Sequence, residues 1–249
     1  MSRIPVGLQM YTVRDVCEQN FVGALRQVAD MGYEGVELAG SYDLEAEVLR
    51  DILADVNLNC IGSHTSFDDI NQVAAFHKTV NCKYVGGSSM SPTGFPTDSK
   101  SLLAAAKYSN ELGAALQEQG LHFYFHNHAH EFKKIDDRYT LDLFYESTDP
   151  QLVYAQIDVF WVQYADVDPS AYLRQYPNRC PLVHIKDMDK NKDFTEVGHG
   201  VLDWDNIFAA CEEVNAQWYV VEQDTCHRPS MESAKISFET FRKRGMVYV

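Results

Sequence analysis

Four segments of this 249-residue chain carry side chains able to hold a cation or move a proton. In LHFYFHNH (residues 121–128) strand alternation puts Phe123 and Phe125 on one face and Tyr124, His126 and His128 on the other. VYAQID ends its apolar run on Asp158, CPLVHIKD alternates to put His184 and Lys186 on one face, and WYVVEQD carries Glu222 on the matching face. Glu37 in YEGVELAG and His64 in LNCIGSHTS stand at equivalent points of two earlier segments. Imidazoles and carboxylates brought together in this mixture suit one divalent ion of the Mn²⁺, Co²⁺, Fe²⁺, Zn²⁺ or Mg²⁺ type. Burying Asp158 and Glu222 with no cation beside them would be costly. A single strand histidine is more often a hydrogen-bonded core group than a ligand. Recurrence of His, Asp, His and Glu on successive segments favours the ligand reading, because independent core residues have no reason to share one level.

The elements that must position these groups follow from periodicity. Strands are expected at residues 6–11, 33–40, 58–66, 82–89, 121–128, 153–162, 180–187 and 218–224. Each is followed by a helical stripe: Phe21, Leu25 and Val28 up to Gly32; Leu44 to Val56; residues 70–80; residues 99–120; residues 141–147; a helix opened by Asp168 and Pro169; residues 204–214; and Met231 to Phe241. Eight β-then-α units at a repeat of about 30 residues, with no linker, predict one (β/α)₈ barrel over residues 1–249. A doubly wound sheet is disfavoured because GLQMYTVRD after strand one has no glycine-rich phosphate loop. In a barrel the active site lies at the C-terminal ends of the strands, where all of the residues above fall.

Charge narrows the partners. The formal net charge is -15, from 36 acidic and 21 basic residues, and such a chain repels phosphate backbones and anionic lipid. No nucleic-acid or membrane partner is expected. The N-terminal residues lack a signal-peptide cleavage site, and the six scattered cysteines read as reduced thiols, so a cytoplasmic location is expected.

The motifs LQMYTVRD, GYEGVELAG, FHNHAHEF, QIDVFWV, HIKDMD, EVGHGVLDW and VVEQD resemble the sugar phosphate isomerase/epimerase family, the xylose isomerase-like TIM barrels, over essentially the whole chain. The resemblance implies one divalent metal held by strands five to eight. Asp158, His184 and Glu222 match the family's ligands. Its usual strand-five glutamate is His126 here, so His126 is the favoured fourth ligand, with His128 and Glu131 as alternatives. Glu222 is expected to move a proton, partnered by Lys186, His126, His128 or Glu131. A salt bridge from Lys186 to Asp187 or Glu222 is the plainer reading of that lysine. Tyr11, Glu37, His64 and Trp161 are expected at the substrate, and Glu196 is expected to compensate for His199, which stands where the family often has an acid.

The resemblance implies a small sugar or polyol substrate, and homo-oligomers are common in the group. The leading expectation is a metal-dependent isomerase or epimerase, abstracting a proton next to a carbonyl through an enediolate. The alternative is a lyase of the inosose dehydratase type, which shares the first step and then expels a β-substituent. A DNA-repair endonuclease is disfavoured by the charge and the missing ligands of a three-zinc cluster, and a metal-free sugar-binding barrel is the non-catalytic reading.

Overall fold

The structure is a computed structural model and describes residues 3–247. Eight parallel strands close in the order β1-β8-β7-β6-β5-β4-β3-β2. They are β1 Val6–Gln9, β2 Gly35–Leu38, β3 Asn59–His64, β4 Tyr84–Gly87, β5 His122–His126, β6 Val153–Asp158, β7 Leu182–Ile185 and β8 Trp218–Val221. Pairing of Leu8 with Val221 closes the ring. The helices are α1 Arg14–Met31, α2 Ala46–Asp55, α3 Ile70–Thr79, α4 Ser99–Glu118, α5 Thr140–Glu146, α6 Val159–Tyr164, α7 Pro169–Leu173, α8 Trp204–Glu213 and α9 Ser230–Lys243. All eight expected strands are present, each shorter than its apolar run. Among the described residues no helix is long and apolar enough to cross a membrane, and all six cysteines are free.

Two apolar layers follow from strand alternation. Outward side chains such as Phe123, Phe125, Val183 and Ile185 join the large core under the helices. Inward ones form a small plug of Ile61, Tyr124, Leu182 and Val220 that fills the barrel below its mouth. Glycine makes room for it. A Cβ on Gly86 would lie 2.6 Å from the Tyr124 ring, and one on Gly62 would lie 2.7 Å from Glu37 Oε1. Both separations are closer than atoms can approach, so these positions admit a tyrosine and a glutamate only because they carry no side chain.

Three boundaries differ from the sequence expectation, each for a local reason. Strand six stops at Asp158, whose carboxylate accepts from Phe160 N at 2.9 Å and Trp161 N at 3.1 Å and so starts α6. Trp161 is therefore a helical residue rather than a strand one. Strand one stops at Gln9, whose side chain accepts from Tyr11 N and opens a 3₁₀ turn, Met10–Val13. Strand five stops at His126, leaving His128 in the loop before the short turn His130–Phe132.

Candidate metal centre

Register brings the ligand candidates to one level. Asp158 pairs with His184 across β6 and β7, His184 pairs with Val220 across β7 and β8, and His126 pairs with Gln156 across β5 and β6. One ligand atom each from His126, Asp158, His184 and Glu222 lie within 4.8 Å of one another, and all four residues are buried. His128 and Glu131, the alternatives for the strand-five position, fall instead into a separate group with His130.

The floor of this cluster is Glu37. It is fully buried and takes four donors: Tyr124 Oη at 2.7 Å and Gln156 Nε2 at 2.6 Å on Oε1, Gln9 Nε2 at 2.7 Å and His184 Nε2 at 2.6 Å on Oε2. Burial alone would raise its pKa, but the charges of His184 and His64 and these hydrogen bonds hold it at about 2. A carboxylate so saturated has nothing left for a substrate. Glu37, expected to touch substrate, lies beneath the cluster.

That floor fixes the rings above it. With Nε2 of His184 committed to Glu37, Nδ1 is turned to Glu222 Oε2 at 2.9 Å. Burial works against the imidazolium, but Glu37 and Glu222 outweigh it and raise the His184 pKa to about 10. Gln156 gives its amide N–H to Glu37, so its oxygen is left to accept from His126 Nδ1 at 3.1 Å and His64 Nε2 at 3.0 Å. His126 then keeps Nε2 as a bare lone pair, 3.8 Å from Asp158 Oδ2. Burial and the nearby positive charge of His184 hold the His126 ring neutral.

Asp158 is divided between two tasks. Its Oδ1 caps α6, while its buried Oδ2 accepts no hydrogen bond. Lys186 Nζ lies 3.0 Å from Oδ2 but off the hydrogen-bonding direction. Burial raises the Asp158 pKa to about 6, against the opposing charges of Lys186 and His184. An unserved carboxylate oxygen facing two imidazoles and a second carboxylate fits a divalent cation, which supplies the missing positive charge.

Lys186 is buried and also contacts Glu222 Oε2 at 3.0 Å and Asp224 Oδ2 at 2.8 Å. Burial opposes its charge, yet the carboxylates of Asp158, Glu222 and Asp224 more than compensate and raise its pKa. The ion pair with Glu222 is the one expected; Asp187 is engaged elsewhere. Asp187 Oδ2 accepts from Gly198 N at 2.8 Å, Gly200 N at 3.0 Å and Trp204 Nε1 at 2.9 Å, organising the GHG loop.

A cavity of about 540 Å³ opens over the cluster, with Tyr11, His64, Ser88, His126, His128, Glu222 and Asp224 in its wall. Arg14 props Tyr11 at the rim, stacking 4.0 Å over its ring and donating to Asp224 O at 2.9 Å. Besides Glu37, two more residues expected at the substrate lie outside this cavity wall. Glu196 accepts from Ser233 Oγ at 2.8 Å and pairs with Arg228 at 2.9 Å, on the α9 side. Trp161 packs behind His128 at 5.5 Å and beside Lys186 Nζ at 5.3 Å. Gln9, Gln156 and Asp224 are site residues the sequence reading passed over. Gln156 was within its reach, because it lies two residues before the candidate ligand Asp158 on the same face of β6, whereas Asp224 lies past the end of β8.

A closed parallel barrel whose mouth gathers two imidazoles and two carboxylates defines a TIM-barrel protein with a candidate metal centre. The chain belongs to the xylose isomerase-like TIM barrel family, which it matches over residues 25–244. It is similar to the inosose dehydratase of Clostridium perfringens (strain 13 / Type A), 24% identical over 263 residues, spanning 87% of each chain. Among solved structures it is similar to a sugar phosphate isomerase/epimerase from Parabacteroides distasonis, with a TM-score of 0.85 at 22% identity, over 100% of this chain and 96% of that one. It is also similar to the IOLI protein with a bound zinc atom, with a TM-score of 0.76 at 14% identity, over 98% and 99% of the two chains. At these identities the structural likeness establishes the fold.

Proposed function

We propose that this barrel is a metal-dependent lyase that removes a proton beside a carbonyl of a keto-sugar or polyol-derived substrate and expels a β-hydroxyl as water. His126, Asp158, His184 and Glu222 would hold the ion. When bound it supplies polarisation of the substrate's carbonyl and hydroxyl oxygens.

The observation that carries the choice of reaction is the 3.0 Å contact of the buried Lys186 with Glu222, which lines the cavity. Glu222 Oε2 is held by His184 and Lys186, whereas Oε1 has no hydrogen bond among the described residues. Burial would raise the Glu222 pKa, but Lys186 and His184 hold it well below the usual carboxylate range, so it is ionised and ready to accept a proton at Oε1. Lys186, held as an ammonium by three carboxylates, is a proton donor rather than a base.

The balance is then complete. The C–H electrons form the new double bond, the C–O bond breaks, and the departing oxygen takes its proton from Lys186. Glu222 holds the abstracted proton one contact away and returns it to the amine. Abstraction and donation come from one side of the cavity, which favours syn elimination. The family's inosose dehydratases support the same outcome.

Isomerisation or epimerisation is the second reading. It is favoured by the imidazoles of His64 and His128, which share the cavity wall with Glu222 and can return a proton to the opposite face. Among the described residues no carboxylate stands there: β4, across the barrel from β8, ends in Gly87 and is followed by Ser88 in this wall. Incubation of the manganese-loaded protein with ketoinositols and keto-sugars in D₂O separates the two. Loss of the mass of water supports the lyase, and deuterium uptake without mass loss supports the isomerase.

A further inference from the structure

The turn after β5 holds a second group of potential ligands that the proposed reaction does not use. His128, His130 and Glu131 each offer one ligand atom, all within 4.8 Å of one another. Glu131 is fully buried, and its two oxygens are used unequally. Oε2 accepts from His128 N at 2.8 Å, which locks the carboxylate in place. Oε1 accepts no hydrogen bond, although His130 Nε2 lies 3.0 Å away. Nδ1 of His128 is likewise buried without a partner. The rings are held in position: His128 and His130 stack at 5.6 Å with 12° between their planes, and Phe95 packs edge-on against His130 at 5.1 Å. A buried carboxylate oxygen and a buried imidazole nitrogen, neither of them hydrogen-bonded, are expensive to maintain without a cation.

We infer that His128, His130 and Glu131 form a second, outer metal site, which takes Zn²⁺ with three protein ligands and one open position. Two imidazoles and one carboxylate make a donor set that zinc accepts with a water in the fourth place. His130 is half exposed and gives the ion a path from solvent. His128 belongs to the cavity wall, so an ion here ties that wall to the turn beneath it. The site shares no residue with the inner cluster, and its occupancy is independent of the reaction assigned to that cluster.

Zinc stoichiometry measured by elemental analysis after Zn²⁺ loading and desalting, together with anomalous diffraction at the zinc edge, tests this. The wild type is expected to hold two ions per chain, with the outer one against residues 128–131. His130→Ala alters an exposed ring, so the fold is expected to persist; it should lose the outer ion and keep the inner. Asp158→Asn should lose the inner ion and keep the outer. No ion against residues 128–131 in the wild type, or an ion there that survives His130→Ala, would overturn the outer site. Loss of the inner ion's signal alone would count against the proposed function and leave the outer site standing.

Discussion

Glu37 and His184 meet at 2.6 Å, Oε2 to Nε2, beneath the mouth of the barrel, and both are fully buried. Neither residue lines the cavity, yet the pair decides which nitrogen of His184 faces the candidate ligand cluster. The same glutamate, through Gln156, decides which nitrogen of His126 does so. Glu37→Gln should therefore weaken Mn²⁺ binding by about 10–100-fold, the usual effect of losing an orienting partner. It should also cost about 3 kcal/mol of stability, because the buried His184 loses one of the two carboxylates that hold its charge. Calorimetric titration and a melting curve read the two effects. Tyr124→Phe removes one donor from the same carboxylate and should leave metal affinity within a few-fold of wild type.

Metal binding should release protons in a pH-dependent way. In the metal-free protein His184 keeps its second proton up to about pH 10. An ion at Nδ1 must displace that proton, so affinity should rise about tenfold per pH unit as pH increases toward that value. Asp158 becomes protonated below about pH 6. A second proton then competes, and affinity should fall about a hundredfold per unit on further acidification. Titrations at pH 7.5 in buffers of different ionisation enthalpy should report about one proton released per ion. No release would contradict the charge state of His184.

Lys186→Met separates binding from chemistry. The ammonium lies 3.0 Å from both Asp158 and Glu222 and competes with an incoming ion for them. Its removal should raise Mn²⁺ affinity and lower turnover by about 10²–10⁴-fold, the range for loss of a positioned proton donor. Reduced affinity in the variant would mean that Lys186 supports the ligands rather than competing for them.

Asp187 has a different task from its neighbour. Its carboxylate gathers the amides of Gly198 and Gly200 and the indole of Trp204. Asp187→Asn removes the charge and one acceptor edge, and should cost about 2–4 kcal/mol. Amide exchange should rise over residues 198–202 while the inner ligands retain their ion.

The barrel was legible because alternation and helical spacing are local signals. His126, Asp158, His184 and Glu222 were legible because a strand period of two fixes which side chains share a face. The same rule extends to Gln156, two residues before Asp158 on β6, but not to Asp224, which lies past the end of β8 where the alternation no longer holds. Trp161 was misjudged because VFWV is equally apolar as strand or helix, and the choice is made by the Asp158 carboxylate folding onto the amides that follow it. Glu196 is expected to compensate for His199 because the same loop carries both. Its real partners, Ser233 and Arg228, come from the α9 side of the chain, a contact that no local pattern announces. The charge state of Lys186 depends on Asp158, Glu222 and Asp224 from two other strand ends, and so follows from the closed ring rather than from HIKD alone.

The most direct test of the inner metal centre is the melting temperature of the wild type and of Asp158→Asn, each with and without Mn²⁺. An ion held at a hundred times its Kd stabilises the native state by about 2.7 kcal/mol. The wild type should therefore melt several degrees higher with Mn²⁺, and Asp158→Asn should show no rise. An unchanged wild-type melting temperature, or an equal rise in the variant, would contradict a metal centre built on Asp158 Oδ2.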